Sequence, residues 1–489
     1  MKNRIISAVL LFAAVFGLAS CQGQTDNGTQ TTSVSDSETT TAPETEPEYI
    51  YPDEDYEGYE FTFLNQALCS WANRLCVPEE TTGDLINDAM FERNSRISER
   101  FNITITEQNV TKDEIASLAR RTVMAGDDTY DCVLCPIDNV SSLMPDGILI
   151  DLLTVESLNL DEPWWDNDVI ASATIEDQCY LASSDVTFFP FEATWILYFN
   201  EDRFDAMNIE YPYDEVRAGK WTIDRLNELC QLGASLNGQD SFKYDEDKNV
   251  ADYGIITHSQ IVQALMFGGG ETLISTNNGT PAFSGESDRA YRLFEKIALL
   301  TGTDGMSLDR DKAGGQDTDT KSFCRTAFRT GHFMFMSETL GHIAGLRDFE
   351  GNFGVLPLPK LDEAQEGYHS MIATWGTLMT TIPASASDPV RTGVILDALA
   401  YDSYKNLLEP YYDTYLTQKG VRNEDSADML KIIRDTRIVN TGYMFGWTNS
   451  LTGSLTSMLE KGDASVASTI ASAKDAIAAN IQKTLDAFK

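Results

Sequence analysis

The sequence predicts an α/β protein built as two lobes with a cleft between them. The stretch from Tyr59 to Ile137 alternates strand and helix patterns in the order β, α, β, α, β, which favours a parallel sheet covered by helices. The middle third of the chain repeats a similar alternation with different residues, and more than one extended segment joins the two units. The length of 489 residues allows two or three domains of ordinary size.

In the first unit, apolar residues alternate with polar ones in the predicted strands and recur at helical spacing in the predicted helices. The predicted elements are a strand at Tyr59–Leu64, a helix at Thr82–Arg100, a strand at Asn102–Thr106, a helix at Lys112–Ala125 and a strand at Tyr130–Ile137. Ligands bind parallel sheets beyond the C-terminal ends of the strands, which here means residues 65–74 and 138–142.

The second unit begins with a strand and returns to the first unit through extended segments. Thr222 is typical of a helix N-cap, and Gly233 is typical of the end of that helix. The other predicted elements are strands at Trp195–Asn200, His332–Met336 and Asn352–Leu358, helices at Asp288–Leu300 and Ser322–Thr330, an extended run at Ile372–Ile382 and a C-terminal helix from about Ala464.

The charge balance excludes a class of partners. With 36 Lys and Arg against 76 Asp and Glu, the formal net charge is −40 and the isoelectric point is about 4.3. A protein that neutralises phosphates needs a basic face, so nucleic acid is excluded as a partner. The hydrophobic content of 42% is ordinary for a globular core and too low for a protein that spans a membrane many times.

Residues 1–20 have the pattern of a secretory signal. Lys2 and Arg4 precede an apolar run too short to span a bilayer, and the run ends in Leu18-Ala19-Ser20-Cys21. This tetrapeptide resembles the lipobox of bacterial lipoproteins, in which the cysteine becomes the acylated first residue. The alternative is an ordinary signal whose Cys21 is accidental. We expect an exported protein, lipid-anchored through Cys21 to the outer face of the bacterial cell membrane.

Residues 21–55 are interpreted as a flexible acidic stalk. From Gln22 to Glu48 the chain is mostly Thr, Ser, Gln, Asp, Glu and Pro, with Val34 as its one large aliphatic residue. Such a composition cannot bury enough apolar surface to offset the entropy of ordering the chain.

The cysteines favour a structural role. Cys132 and Cys135 have the spacing of a redox or metal pair, but they lie in a strand-like run and away from a helix N-terminus that would lower a thiol pKa. We interpret them as buried small apolar residues. The alternatives are a disulfide between Cys69 and Cys76, or a zinc site that these two form with the other pair. We predict no metal site and no cofactor.

Several segments together resemble one family. They are Trp195–Phe204, Tyr211-Pro212, Gly219–Leu226, Phe328–Phe335, Asn352–Pro359, Trp375–Pro383 and Pro389–Tyr401. In this order they resemble the family 1 extracellular solute-binding proteins, the maltose-binding-like receptors of ABC importers. Together with the segments between them, they cover most of residues 56–489.

The resemblance implies a periplasmic-binding-protein-like fold of type II, in which a hinge links two α/β lobes around a solute. On this chain the first lobe is expected at 56–187 and 358–400, and the second at 188–357 and 401–489. The implied function is a non-enzymatic receptor that binds a carbohydrate, in particular an oligosaccharide, and delivers it to permease subunits. We expect a monomer whose partners are that small-molecule solute, the importer and the membrane.

Candidate ligand-binding residues follow from the chemistry of a sugar. Its C–H faces lie on aromatic rings, and its hydroxyl groups need fixed donors and acceptors. The resemblance selects Glu192, because a glutamate just before the signature strand contacts sugar in the maltose-binding branch. The full set of candidates is Trp71, Arg74, Asp138, Glu192, Glu338, Trp375, Tyr443 and Trp447, to which we add Trp164 and Trp165 as weaker ones.

Each candidate also has a purely structural interpretation. Trp195 and Trp221 are expected to pack inside the fold, whereas the glycines beside Trp375 and Trp447 favour exposed rings. Arg74 either binds a carboxylate or pairs with the surplus of acid. The alternatives for the whole protein are a peptide-binding transport receptor and a secreted glycan-active or glycan-adhesion lipoprotein. Common hydrolase and nucleotide-binding motifs are absent from the sequence.

Overall fold

The computed structural model describes residues 48–67, 75–242, 249–277, 279–313, 328–346, 349–373, 377–408, 410–411 and 424–487. Tyr49–Lys489 forms one compact unit. Within the described ranges, none of the helices combines the length and the apolar composition that crossing a bilayer requires.

The strands in chain order are β1 Tyr59–Asn65, β2 Ile103–Asn109, β3 Cys132–Pro136, β4 Trp195–Asn200, β5 Tyr253–Thr257, β6 Ile274–Asn277, β7 Thr280–Phe283, β8 Ser307–Asp309, β9 Phe333–Thr339, β10 Phe353–Leu356, β11 Ser370–Met371, β12 Leu378–Thr381 and β13 Arg437–Ile438.

The helices are α1 Leu85–Phe101, α2 Lys112–Ala125, α3 Ile137–Leu143, α4 Asn167–Ala173, α5 Phe189–Glu192, α6 Glu201–Met207, α7 Tyr213–Arg217, α8 Ile223–Gly233, α9 Ile261–Gly268, α10 Asp288–Gly302, α11 Arg310–Ala313, α12 Pro389–Asn406, α13 Glu424–Asp435, α14 Thr441–Met444, α15 Asn449–Leu459 and α16 Ala467–Ala487. Short 3-10 helices cover Met144–Asp146, Leu152–Thr154 and Leu340–Leu346.

The first lobe is built on a four-stranded sheet in the order β12-β3-β1-β2. β1 is parallel to β2 and to β3, which confirms the predicted parallel arrangement, and β12 joins antiparallel to β3. Phe63 and Leu64 point to opposite faces of β1 and have no exposed surface, so both faces of the sheet are covered. The helix predicted from Thr82 begins only at Leu85, since the Asp84 side chain caps it by accepting hydrogen bonds from the next turn.

The second lobe is built on a five-stranded sheet in the order β10-β4-β9-β5-β8. β5 is parallel to β8 and β9, while β4 is antiparallel to both β9 and β10. Every residue of β4, β5 and β9 is buried, which explains their nearly continuous apolar sequences. Trp195 and Trp221 are both buried, as the sequence predicted.

Extended segments cross between the two sheets side by side. The backbone N–H of Ala373 donates to the carbonyl oxygen of Ala193 at 2.9 Å, and Thr194 is bridged to Ile372. The N–H of Ile372 donates to the carbonyl oxygen of Ile438 at 3.0 Å. The apolar run predicted at Ile372–Ile382 is therefore a crossing segment followed by β12, because its first residues leave one lobe before its last residues join the other sheet.

Candidate functional site

The C-terminal edge of the second sheet gathers side chains from four strands. β5, β8 and β9 run in the same direction, so the residues at or after their ends, His258, Arg310 and Glu338, meet at one edge. β4 runs the opposite way and begins at this edge with Trp195. This is the edge at which parallel sheets bind ligands, and the crossing segments Ala193–Thr194 and Ile372–Ala373 lie beside it.

Trp195 and His258 form a stacked pair at this edge. Their ring centroids are 3.7 Å apart and their planes are 7° from parallel. Burial, helped by the charges of Arg310 and His342, holds the pKa of His258 well below its ordinary value of 6.5, so the ring is neutral. Nδ1 accepts from the backbone N–H of Gln260 at 3.1 Å, and Nε2 therefore carries the proton and donates to Ser337 Oγ at 3.2 Å.

Trp195 also presents a hydrogen-bond donor. Its Nε1–H is buried and has no partner among the described residues. A buried N–H without an acceptor is destabilising by about 1–3 kcal/mol. Trp195 is the aromatic residue that sequence reasoning assigned to packing alone. The signal that was missed is its place at the first position of a strand that begins at the edge where the parallel strands of the sheet end.

Glu338 is buried at the same edge, with no exposed side-chain surface. Arg310 pairs with one of its carboxylate oxygens, and Nδ1 of His342 lies 3.1 Å from the other. Charged groups in a protein interior are normally paired in this way, because desolvating a lone charge is costly. The carboxylate therefore fixes the positions of Arg310 and His342 at this edge. A solute could contact Glu338 only if the pair with Arg310 moved.

Glu192 lies beside the crossing segments. It is the last residue of α5, which packs against both the 3-10 helix Leu340–Leu346 and β12. The backbone of Gly341 approaches so closely that a Cβ added there would lie 3.2 Å from the Cβ of Glu192. Gly341 follows Glu338 by three residues in the sequence, so the half-buried Glu192 side chain lies in the same region as Glu338, another predicted candidate.

Asp138 and Tyr443 lie on two helices that touch. Asp138 is in the first turn of α3, directly after β3, and its carboxylate pairs with Lys112. α3 packs against α14, which carries the half-buried Tyr443. The C-terminal segment therefore reaches the C-terminal edge of the first sheet.

Trp447 does not stand exposed as the sequence predicted. It is 3% exposed, its Nε1–H donates to Thr484 Oγ1 at 2.8 Å, and its ring stacks on Phe445. The expectation of an exposed ring is wrong because α16, the helix that contains Thr484, covers the indole. Trp164 and Trp165 are likewise buried.

Three predicted site residues, Trp71, Arg74 and Trp375, and the predicted lipidation residue Cys21 lie outside the described residues. Cys132 and Cys135 are free and fully buried, and burial raises the pKa of both thiols, so neither is a reactive thiolate. In the part of the chain that the structure describes, no three His, Cys, Asp or Glu side chains are placed to hold a metal ion.

No model of a known protein family matches the sequence, and neither does any curated protein sequence. Solved structures match over almost their whole length. A cyclo/maltodextrin-binding protein complexed with maltotetraose is 15% identical with a TM-score of 0.56, covering 86% of this chain and 97% of its own. The maltose-binding periplasmic protein MalE from Listeria monocytogenes, complexed with maltose, is 15% identical with a TM-score of 0.56, covering 87% and 98%.

A cyclic α-maltosyl-1,6-maltose binding protein from Arthrobacter globiformis is 13% identical with a TM-score of 0.56, covering 87% of this chain and all of its own. At such identities the likeness concerns the path of the chain, and it confirms the fold that the sequence resemblance implied. The protein has the two-lobed, periplasmic-binding-protein-like α/β fold of these solute-binding proteins.

Proposed function

We propose that the protein is a substrate-binding protein of an ABC importer, which binds a carbohydrate between its lobes and delivers it to the permease. The observation that carries this proposal is the edge of the second sheet, where an aromatic stack, a free indole N–H and paired ionic groups adjoin the crossing segments. Aromatic faces with fixed donors and acceptors are what a sugar requires. The solved proteins of this fold named above bind maltose, maltotetraose and a cyclic maltosaccharide, which supports the same solute class.

The proposal assigns solute contact to both lobes. From the expected first lobe we propose Asp138, and from the expected second lobe Glu192 and Tyr443. Glu338 positions Arg310 and His342 at the edge. Trp71, Arg74 and Trp375 stay proposed contacts on the strength of the sequence. No residue is given a catalytic role.

Export and lipid attachment through Cys21 complete the proposal and rest on the signal-like residues 1–20 and the Leu18–Cys21 tetrapeptide. An anchor of this kind keeps the receptor concentrated near its permease.

The decisive test is a solute panel on the purified protein. Thermal unfolding is measured with neutral oligosaccharides, peptides and nucleosides, and every hit is titrated calorimetrically. A solute at a hundred times its dissociation constant stabilises the folded state by about 2.7 kcal/mol. We expect one saccharide series to raise the midpoint and to be recovered intact. Recovery of cleaved sugar would show that the protein is a glycan-active enzyme. A response to peptides alone would show that the solute is a peptide and not a carbohydrate.

A matched pair of variants locates the site. Glu192→Gln keeps the shape of the side chain beside Gly341 and removes its charge, so we expect solute affinity to fall about tenfold, the loss of one charge-assisted hydrogen bond. Glu99→Gln makes the same change on the exposed surface of α1 and should leave affinity unaltered. Equal solute affinities in the two variants would show that Glu192 does not contact the solute.

A further inference from the structure

A second concave surface lies on the first lobe. It is bounded by α1, by the edge strand β2 and by the segment Leu75–Thr82, and we call it the β2 groove. Its volume is about 830 Å³, within the range of about 300–1,000 Å³ that is usual for small-molecule sites. β2 and β12 are the two outermost strands of the first sheet, and the crossing segment leads into β12. The groove lies at β2, so it is separate from the edge of the second sheet.

Hydrogen bonds fix the walls of the β2 groove to one another. The carbonyl oxygen of Cys76 accepts from Arg93 Nη2 and from Asn94 Nδ2, both at 3.0 Å, which ties Leu75–Thr82 to α1. The Glu107 Oε2 atom accepts from the N–H of Cys76 at 3.1 Å and from Asn65 Nδ2 at 2.9 Å, which ties the same segment to β2.

The far end of the segment is held as firmly. The Asp88 carboxylate accepts from the backbone N–H groups of Thr82 and Gly83 at 2.8 and 3.1 Å, and Asn87 Nδ2 donates to the carbonyl oxygen of Glu80 at 2.8 Å. The groove is therefore formed before any ligand arrives, which lowers the entropy lost on binding.

The lining of the β2 groove is rich in acceptors and has one aromatic ring. Glu79, Glu80 and Glu107 contribute carboxylates, and no Lys or Arg is among the lining residues. Oε1 of Glu107 and Oδ1 of Asn109 have no partner among the described residues, so both lack a donor. Phe91 is half-buried and presents part of its ring to the groove.

From this lining we propose that the β2 groove binds a neutral polyhydroxylated ligand, a saccharide, at a site additional to the one between the lobes. Hydroxyl groups donate to the unsatisfied carboxylate and amide oxygens, and an apolar C–H face lies on Phe91. The hydroxyl groups of Thr104 and Ser98 offer both donors and acceptors, which suits a polyol better than an ammonium group, since the latter uses acceptors alone. An anionic sugar is repelled by the three carboxylates.

Binding stoichiometry tests the proposal. Equilibrium dialysis of the full chain uses maltotetraose, cellotetraose and chitotetraose as neutral probes and tetragalacturonate as the anionic one. The groove variants are Phe91→Leu, which keeps an apolar side chain without the aromatic face, and Glu107→Gln, which keeps an acceptor for Asn65 and Cys76. The controls are Tyr180→Leu on another half-buried ring and Glu192→Gln beside the crossing segments.

We expect a neutral tetrasaccharide to bind with a component that both groove variants weaken at least tenfold, while their unfolding midpoints and the Tyr180→Leu control stay unchanged. A component weakened only by Glu192→Gln belongs to the site between the lobes. If the only component is the one that Glu192→Gln weakens, the groove proposal fails and the proposed function stands. If the only component is the one that the groove variants weaken, the proposed function fails and the groove proposal stands. Binding of tetragalacturonate, or of oligolysine in place of every neutral probe, would also overturn the groove proposal.

Discussion

Two arginines, Arg437 buried and Arg434 largely so, show how single residues join distant parts of the chain. Arg434 donates to Asp185 at 2.7 Å, and Arg437 donates to Asp166 at 2.6 Å while lying 3.5 Å from Asp185. The two pairs join residues 249 and 271 positions apart in the sequence, and Arg437 lies in β13 next to the crossing segment at Ile438. Burial alone would raise the pKa of Asp185, but the two guanidinium groups outweigh it and the pKa is lowered.

Replacing Asp185 with asparagine should be strongly destabilising. The change leaves two buried guanidinium groups short of a carboxylate, and breaking a buried pair costs about 3–5 kcal/mol. Urea unfolding at neutral pH measures the loss. Asp428→Asn, which disturbs an exposed pair with Arg217, is the control and should change stability little. Equal effects of the two substitutions would show that the buried cluster is not a stabilising element.

The same cluster predicts a pH dependence. Because the folded-state pKa of Asp185 lies below its ordinary value of 3.8, its contribution is complete above that value and disappears as the pH falls through the lowered pKa. Acid titrations of the wild type and of Asp185→Asn should therefore converge at low pH. Parallel curves down to the acid transition would contradict the assignment.

His258 predicts a second pH dependence, which comes from a basic group and not from an acidic one. Its folded-state pKa is lowered, so on acidification below about 6.5 the unfolded chain takes up a proton that the folded protein does not. Stability should fall by up to about 1.4 kcal/mol per pH unit from this group. In His258→Phe, which keeps a ring against Trp195, the free energy of unfolding should decrease less between pH 7 and 5. An unchanged slope would mean that His258 is protonated in the folded protein.

At the scale of elements, two hairpin tips that are far apart in the sequence are hydrogen-bonded to each other. Ile175 and Gln178 are bridged around Glu176 and Asp177, which both have positive φ, as a type I′ turn requires. Neither residue is glycine, so the tip is strained. The N–H of Glu176 donates to the carbonyl oxygen of Gly279, between β6 and β7, at 3.2 Å, and Thr280 Oγ1 donates to Glu176 Oε1 at 3.3 Å.

Removing the Thr280 hydroxyl should weaken solute binding, although we do not propose Thr280 as a solute contact. A net contribution of about 0.5–1.5 kcal/mol for one hydrogen bond corresponds to a rise in the apparent dissociation constant of about 2- to 10-fold in Thr280→Val, since arrangements with the lobes apart become more populated. Calorimetric titration measures the change. Thr276→Val, on the opposite strand of the same hairpin, is the control, and an equal shift in that variant would argue against a specific contact.

The net charge of −40 acts at the scale of the whole molecule. Like charges destabilise the compact state by mutual repulsion, and salt screens this repulsion because the Debye length falls to about 10 Å at 0.1 M. We expect the unfolding midpoint to rise as NaCl increases up to about 0.5 M. A neutral osmolyte at the same osmolality is the control. A midpoint that falls with salt would mean that attractive ion pairs dominate over the surplus of acid.

Local patterns in the sequence were sufficient to predict much of the fold. The alternation at Tyr59–Leu64, the helical spacing at Lys112–Ala125 and the continuous apolar run around Cys132 each became the expected element. Periodicity is local, so each segment shows by itself which face it buries. The ordered resemblance of several such segments was enough to indicate the two-lobed fold.

The partners of individual side chains were decided by the tertiary structure. The sequence offered Trp447 as an exposed ring, whereas α16 covers it; Trp195 is buried as predicted, but only the structure shows its unpartnered N–H at the C-terminal edge of the second sheet. His258 and Arg310 carried no local signal at all. Which strands are neighbours in a sheet decides which strand ends meet, and that order depends on the packing of the whole lobe. The sequence by itself therefore determined the elements and the fold, while only the tertiary structure brought Trp195, His258, Arg310 and Glu338 to one edge.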